Sequence, residues 1–129
     1  MYKRQGVSNV TAGQVAEARS ITDIVCVQNQ YNLAHRGDDP LIDALAAEGI
    51  AYVPFFPLGG FSPLQSDALT RAAAALGAQP MQVALAWLLQ RSPNILVIPG
   101  TSSVAHLRDN VAAGALRLDA DTLATLNAM

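Results

Sequence analysis

The amino-acid sequence predicts an α/β protein, and more narrowly half of a (β/α)8 barrel. Short β-branched runs alternate with Ala- and Leu-rich stretches of helical period, the pattern of βα units around a parallel sheet. The strand candidates are nearly continuous in apolar character, as strands covered on both faces are. About four such units fill the 129 residues, whereas a closed eight-unit barrel takes about 250.

Each element has its own local signals. A first strand leads into "GVSNV", but residues 1–5, "MYKRQ", are polar and basic where a barrel strand should be apolar. They read as a leader or frayed terminus outside a single domain over residues 6–129, with the solvated end of a complete small domain as the alternative. A helix over 12–20 follows, then the strand "IVCVQ" at 24–28. The next helix, 39–49, has Asp39 as its expected N-cap, Pro40 in its first turn and Gly49 at its C-terminal end. The strand "AYVPFF" (51–56) precedes two helices, 63–77 closed by Gly77 and 80–92 opened by Pro80. The strand "ILVIP" (95–99) then turns into a helix beginning near Ser102 or Ser103, and a last short helix near 119–129 carries an acidic first turn. Four parallel units leave a sheet edge unpaired, which is a liability unless something covers it.

Composition limits the function classes. The chain is 51% hydrophobic and 14% charged, which excludes disorder. A net charge of −2 gives no basic field, so neither nucleic acid nor an anionic membrane is an expected partner. The longest apolar runs are too short to cross a bilayer, and no secretory signal is visible. The single Cys26 allows no intrachain disulfide and predicts a reduced, cytoplasmic setting. There is no P-loop, zinc-ligand spacing or nucleophile elbow. No metal site is expected, since Asp38, Asp39 and Asp43 read as capping and dipole groups at a helix start.

One stretch points to a ligand. In "VIPGTSSVAHLRDNVAAG" (97–114) a strand ends at Pro99-Gly100, three hydroxyl residues follow, and a helix begins. The N-terminus of a helix attracts anions through its open amides and its dipole.

The segments "GVSNVTAGQVAEA" (6–18), "VQNQYNL" (27–33), "VPFFPLGG" (53–60) and "VIPGTSSVAHLRDNVAA" (97–113) resemble, in order and separation, the aldo-keto reductase family. The resemblance implies a (β/α)8 barrel that reduces aldehydes and ketones with NADP(H). It places this chain as the C-terminal half, from the fifth strand to the eighth. By it, Ser8, Asn9 and Gln28 hold the nicotinamide carboxamide, as groups presenting amide donors and acceptors can. Phe55 lies against the nicotinamide ring, and Phe56, Leu58 and Gly59 continue past the pyrophosphate. Pro99 makes the last turn, Gly100, Thr101, Ser102 and Ser103 grip the 2′-phosphate, and Asp109 and Asn110 turn toward the adenine. Gly100 and His106 stand where many members carry Lys and Arg, which leaves NAD(H) open beside NADP(H).

Other readings of these residues remain open. Ser8 and Asn9 suit a turn or helix cap, Phe55 and Phe56 suit a barrel core, and His106 and Arg108 suit a solvated helix face. The family's catalytic Asp, Tyr, Lys and His match no position here, so no catalytic residue is expected in this chain. Tyr31 and His35 fall by the match in a loop beyond the carboxamide, expected to be polar and mobile. The expected partner of the longer form is a small carbonyl substrate. The alternative is a dinucleotide-binding or half-barrel module without chemistry, pairing as a homodimer along its uncovered edges.

Overall fold

The computed structural model describes residues 4–60 and 66–129. The chain runs β1 (Gln5–Ser8), α1 (Ala12–Ile21), β2 (Ile24–Gln28), α2 (Asp39–Ala47), β3 (Ala51–Tyr52), α3 (Asp67–Leu76), α4 (Pro80–Arg91), α5 (Val104–Ala112), a 3-10 turn (Ala113–Ala115) and α6 (Ala120–Asn127). Most of the expected leader, residues 1–3, and the expected helical start at 63–65 lie outside the described residues, while Gln5 opens β1.

The strands lie parallel in the order β1-β2-β3. Sequence order equals spatial order, which is the winding of a barrel segment. A fourth track follows on the far side of β3. Tyr52 accepts from the Leu96 amide at 2.9 Å and donates its own to Asn94 at 2.9 Å.

Two strand expectations need correction. The run 51–56 forms regular strand only at Ala51–Tyr52, because Pro54 has no amide to donate. Its backbone still follows β2 through Val53 N–H to Val27 O (2.8 Å) and Phe55 N–H to Asn29 O (2.9 Å). The run 95–99 pairs at Ile95 alone, since β3 offers it only two regular residues.

Helix ends follow their chemistry. Thr11 and Gln14 cap α1 reciprocally. Gly77 closes α3 with φ +61°, a left-handed conformation in which a side chain would be strained. At α2 the expected cap moves by one residue: Asp38, not Asp39, stands at the N-cap. The Asp38 carboxylate makes no capping bond, because Asn29 Nδ2 (2.7 Å) and Tyr52 OH (2.8 Å) both donate to it.

The core lies between the sheet and the helices. Val27 and Tyr52 on the strands, Ile42 on α2, Val83 and Leu88 on α4 and Leu126 on α6 are fully enclosed. Helix α4 is buried continuously from Val83 to Leu88, so it is the axis of the helical layer. The opposite side of the last track is open. Ile95 is 3% exposed, but Leu96 and Ile98 are 57% and 46% exposed, so this face has no cover among the described residues.

Candidate functional site

Polar and aromatic groups collect where the parallel strands end. Ser8 pairs with Gln28 in register, and Asn9 donates its amide to Gln28 O at 2.9 Å. Asn9 takes this path with φ +55°, a left-handed turn that Asn tolerates better than most residues. Gln28 is half-buried, and Ser8 and Asn9 are exposed. These three residues therefore form one cluster at the ends of β1 and β2.

Phe55 stands beside that cluster, its backbone alternating with β2 through Asn29 and Tyr31. Phe56 leaves the strand path with φ +53°, and its ring meets Phe55 edge-on at 5.4 Å. Gly59 and Gly60 both have positive φ. A Cβ on Gly60 would sit 2.7 Å from the Phe56 ring, so the glycine lets the loop fold over that ring.

Leu58 leads into a second cluster. A cavity of about 420 Å³ is lined by Leu58, Gly100, Thr101, Asp109 and Asn110, together with Gln79, Met81, Gln82 and His106. The first five, and His106, carry sequence expectations. Gln79, Met81 and Gln82 were not anticipated; they come from the start of α4. Gln82 uses both ends of its amide, accepting from Gln79 N–H (2.8 Å) and donating to Asp109 O (3.1 Å), which ties α4 to α5. The pair Gln79 and Gln82, flanking Pro80, is the sequence signal for that helix start.

The loop into α5 is partly self-satisfied. Ser103 caps the helix by accepting from His106 N–H (3.4 Å), and Thr101 Oγ1 accepts from Ser103 N–H (3.1 Å). The hydroxyls keep their own protons to donate, and the Val104 and Ala105 amides begin the helix without intrahelical acceptors. Asn110 donates to Pro99 O at 3.3 Å, closing the turn from the side. Ser102 is exposed and outside the cavity lining, and Arg108 does not line it either.

Behind the strand ends lies a polar platform, and here the expected mobile loop is corrected. Tyr31 is fully buried, stacked on Trp87 at 5.9 Å and meeting Tyr52 edge-on at 5.8 Å. Its hydroxyl donates to Asp39 at 2.5 Å. Burial, reinforced by that hydrogen bond, pushes the Tyr31 hydroxyl up to about 12. Burial also works against the Asp39 carboxylate, but the bonds donated by Tyr31 and Arg91 and the charge of Arg36 outweigh it and hold Asp39 below its ordinary value. Arg91 reaches Asp39 (3.1 Å) and Asp43 (2.8 Å), so these carboxylates serve ion pairs. Arg36 pairs with Asp39 (2.9 Å), donates to Asn127 O and lies 5.4 Å from the Trp87 ring centre. The platform ties the start of the loop after β2, Tyr31 to Leu33, into the core, while Ala34, His35 and Gly37 at its tip are exposed.

Candidate groups gathered at the C-terminal ends of parallel strands that run in sequence order, with helices outside, match a segment of a (β/α)8 barrel. The chain belongs to the aldo/keto reductase family, whose model matches residues 2–129. It is 71% identical over 127 residues to the pyridoxine 4-dehydrogenase of Escherichia coli, a match covering 98% of this chain and 44% of that protein. Its fold superposes on a thermostable aldo-keto reductase solved with epalrestat (TM-score 0.87, 32% identity, 95% of this chain and 47% of that one). It also superposes on an aldo-keto reductase of Klebsiella pneumoniae in complex with NADPH (TM-score 0.85, 28% identity, 98% and 47%). The chain thus spans less than half the length of these relatives and forms a partial barrel. Among the described residues, no single helix is long and apolar enough to cross a membrane.

Proposed function

We propose that this chain supplies the dinucleotide-binding half of an NADP(H)-dependent aldo-keto reductase. The observation that carries the reading is two groups of residues following the parallel strands: Ser8, Asn9 and Gln28 with Phe55 on the next strand path, and the cavity bounded by Leu58, Gly100 and Asn110. The residues fit the group. Bound NADP(H) supplies the hydride exchanged with a carbonyl carbon. Ser8, Asn9 and Gln28 hold the carboxamide, and the Phe55 ring covers one face of the nicotinamide and fixes which face reacts. Gly59 lets the backbone pass the pyrophosphate. Gly100, Thr101, Ser102 and Ser103, at the start of α5, bind the 2′-phosphate through hydroxyl and amide donors. Asp109 and Asn110, fixed by Gln82 and Pro99, meet the adenine, and His106 beside them tolerates NAD(H) as well.

None of these residues moves a proton to substrate, so the isolated chain binds cofactor without turnover in a reducing, cytoplasmic setting. The first carbonyl to test with a longer form is pyridoxal, because the relative at 71% identity is named for pyridoxine. Fluorescence titration of the 129-residue chain with NADPH and NADH tests the reading. Saturable binding, weakened about tenfold by Gln28→Ala, is expected from the loss of one carboxamide contact. No binding of either dinucleotide would overturn it.

A second reading rests on exposed apolar residues. Leu96 and Ile98 on the last track and Val104, Leu107 and Val111 along α5 are 46 to 73% exposed. In this reading two half-barrels pair along these surfaces as a homodimer. Sedimentation equilibrium of the chain gives a dimer if this holds and a monomer if it does not.

A further inference from the structure

Among the described residues, Asn9 and Phe56 are the two non-glycine residues with positive φ. Both lie in the candidate cofactor band, one on each side of Gln28 and Phe55. Non-glycine residues keep such conformations where their surroundings over-determine them. In each case a buried asparagine of the loop after β2 joins a backbone bond, Asn9 N–H to Gln28 O and Gly59 N–H to Phe56 O, in fixing the corner.

Asn29, 6% exposed, turns its amide on the residue after Asn9. Its Oδ1 accepts from Val10 N–H at 3.0 Å and its Nδ2 donates to Val10 O at 2.8 Å, so both backbone groups of Val10 are held by one side chain. The same Nδ2 donates to Asp38 Oδ2, which Tyr52 OH also reaches, and this fixes the amide from behind. Asn32 is fully buried and treats the second residue similarly. Its Nδ2 donates to Phe56 O at 2.9 Å, its Oδ1 accepts from Ala34 N–H at 2.9 Å, and its backbone pairs with His35 in both directions. One rigid loop therefore grips the two left-handed corners of two other segments.

We propose that Asn29 and Asn32 are positioning residues, which hold Asn9 and Phe56 in their left-handed conformations and so set the geometry of the nicotinamide end of the site. Neither touches the cofactor in this scheme. They act through the backbone at Val10 and at Phe56, and apart from Leu58 the adenosine end is built on the loop at Gly100 and Thr101 and on α4 and α5, away from both. The inference rests on the dinucleotide reading above.

The test separates the two ends of the ligand. Asn29→Ala and Asn32→Ala are titrated with NADPH and with adenosine 2′,5′-bisphosphate, which carries the 2′-phosphate and adenine but no nicotinamide. Each variant is expected to weaken NADPH about tenfold, the equivalent of one lost oriented hydrogen bond, and to leave the bisphosphate affinity unchanged. Equal losses of both ligands, or loss of neither, would overturn the positioning role while leaving the dinucleotide reading intact. A wild-type chain that binds neither ligand would overturn that reading and this inference with it. Amide hydrogen exchange in the wild-type chain gives a check that needs no variant to fold. The Val10 amide is expected to exchange as slowly as those of β2, and exchange at the rate of an exposed loop would refute the clamp.

Discussion

The two ends of the candidate site are built in opposite ways. Behind the proposed nicotinamide end, Asn29, Tyr31, Asp38, Asp39 and Tyr52 form a network of buried and half-buried groups, with Arg91 and Trp87 closing it. At the adenosine end, α5 has no buried residue at all and is held by Gln82 to Asp109 O, Asn110 to Pro99 O and its own Ser103 cap. The difference teaches where order is needed. Presenting one face of a flat ring to a reaction demands fixed partners, whereas gripping a phosphate and an adenine demands donors that adjust to the ligand.

The largest change should come from the platform. Trp87 is 1% exposed, stacks on Tyr31, and donates to Asn127 Oδ1 at 2.9 Å. Trp87→Ala removes the stacking surface, leaves Asn127 Oδ1 without the indole donor and leaves Arg36 without a ring to pack on. A cost of about 3 to 5 kcal/mol is expected, a large share of the roughly 5 to 15 kcal/mol that keeps a typical domain folded. Urea denaturation reads it directly. A midpoint close to wild type would mean that the platform does not stabilise the fold, and the contrast between the two ends would collapse.

The second test titrates the platform without mutation. The folded Tyr31 hydroxyl sits near 12, above its ordinary value of about 10. Because the folded value is raised, the contribution is fully present below about pH 10 and is lost as the pH climbs from 10 toward 12. It is on the order of 2 kcal/mol. Stability measured against urea should fall across this window, and Tyr31→Phe should lessen the fall, the remainder coming from the Tyr52 hydroxyl, which burial and its bond to Asp38 also raise. A tyrosinate titration complete near pH 10 would detach Tyr31 from Asp39.

These regions also differ in how far the sequence revealed them. The strand "IVCVQ" was readable to the residue because an apolar run between two helical periods has one sensible reading, and Gly77 and Pro80 marked their helix ends by backbone chemistry alone. The platform was not readable. Tyr31 finds Asp39 eight positions away and, through it, Arg91 at a separation of 52 residues. A polar-looking "YNLAHRG" cannot announce such a partnership, so the loop looked mobile. Asn9 in a left-handed turn is suggested by its residue type, but Phe56 is not, since bonds to its carbonyl from Asn32 and Gly59, formed on folding, accompany that conformation. The cavity residues Gln79, Met81 and Gln82 hid for a related reason: they open a helix whose apolar pattern directs attention to its buried side.

The smallest effect should come from the adenosine end, and its locality is what matters. Ser103→Ala removes the oxygen that accepts from His106 N–H, a loss of about 1 kcal/mol for an N-cap. Since α5 buries none of its residues, that loss should stay within the helix. Amide exchange along α5 should quicken several-fold while β2 keeps its protection. If Ser103→Ala instead loosened β2, the helix would be coupled to the platform through Gln82 and Asp109, and the site would behave as a single rigid unit. If exchange in α5 alone responds, the helix is free to adapt. In the proposed reading, phosphate preference at Gly100 and His106 then changes without disturbing the backbone corners that Asn29 and Asn32 hold.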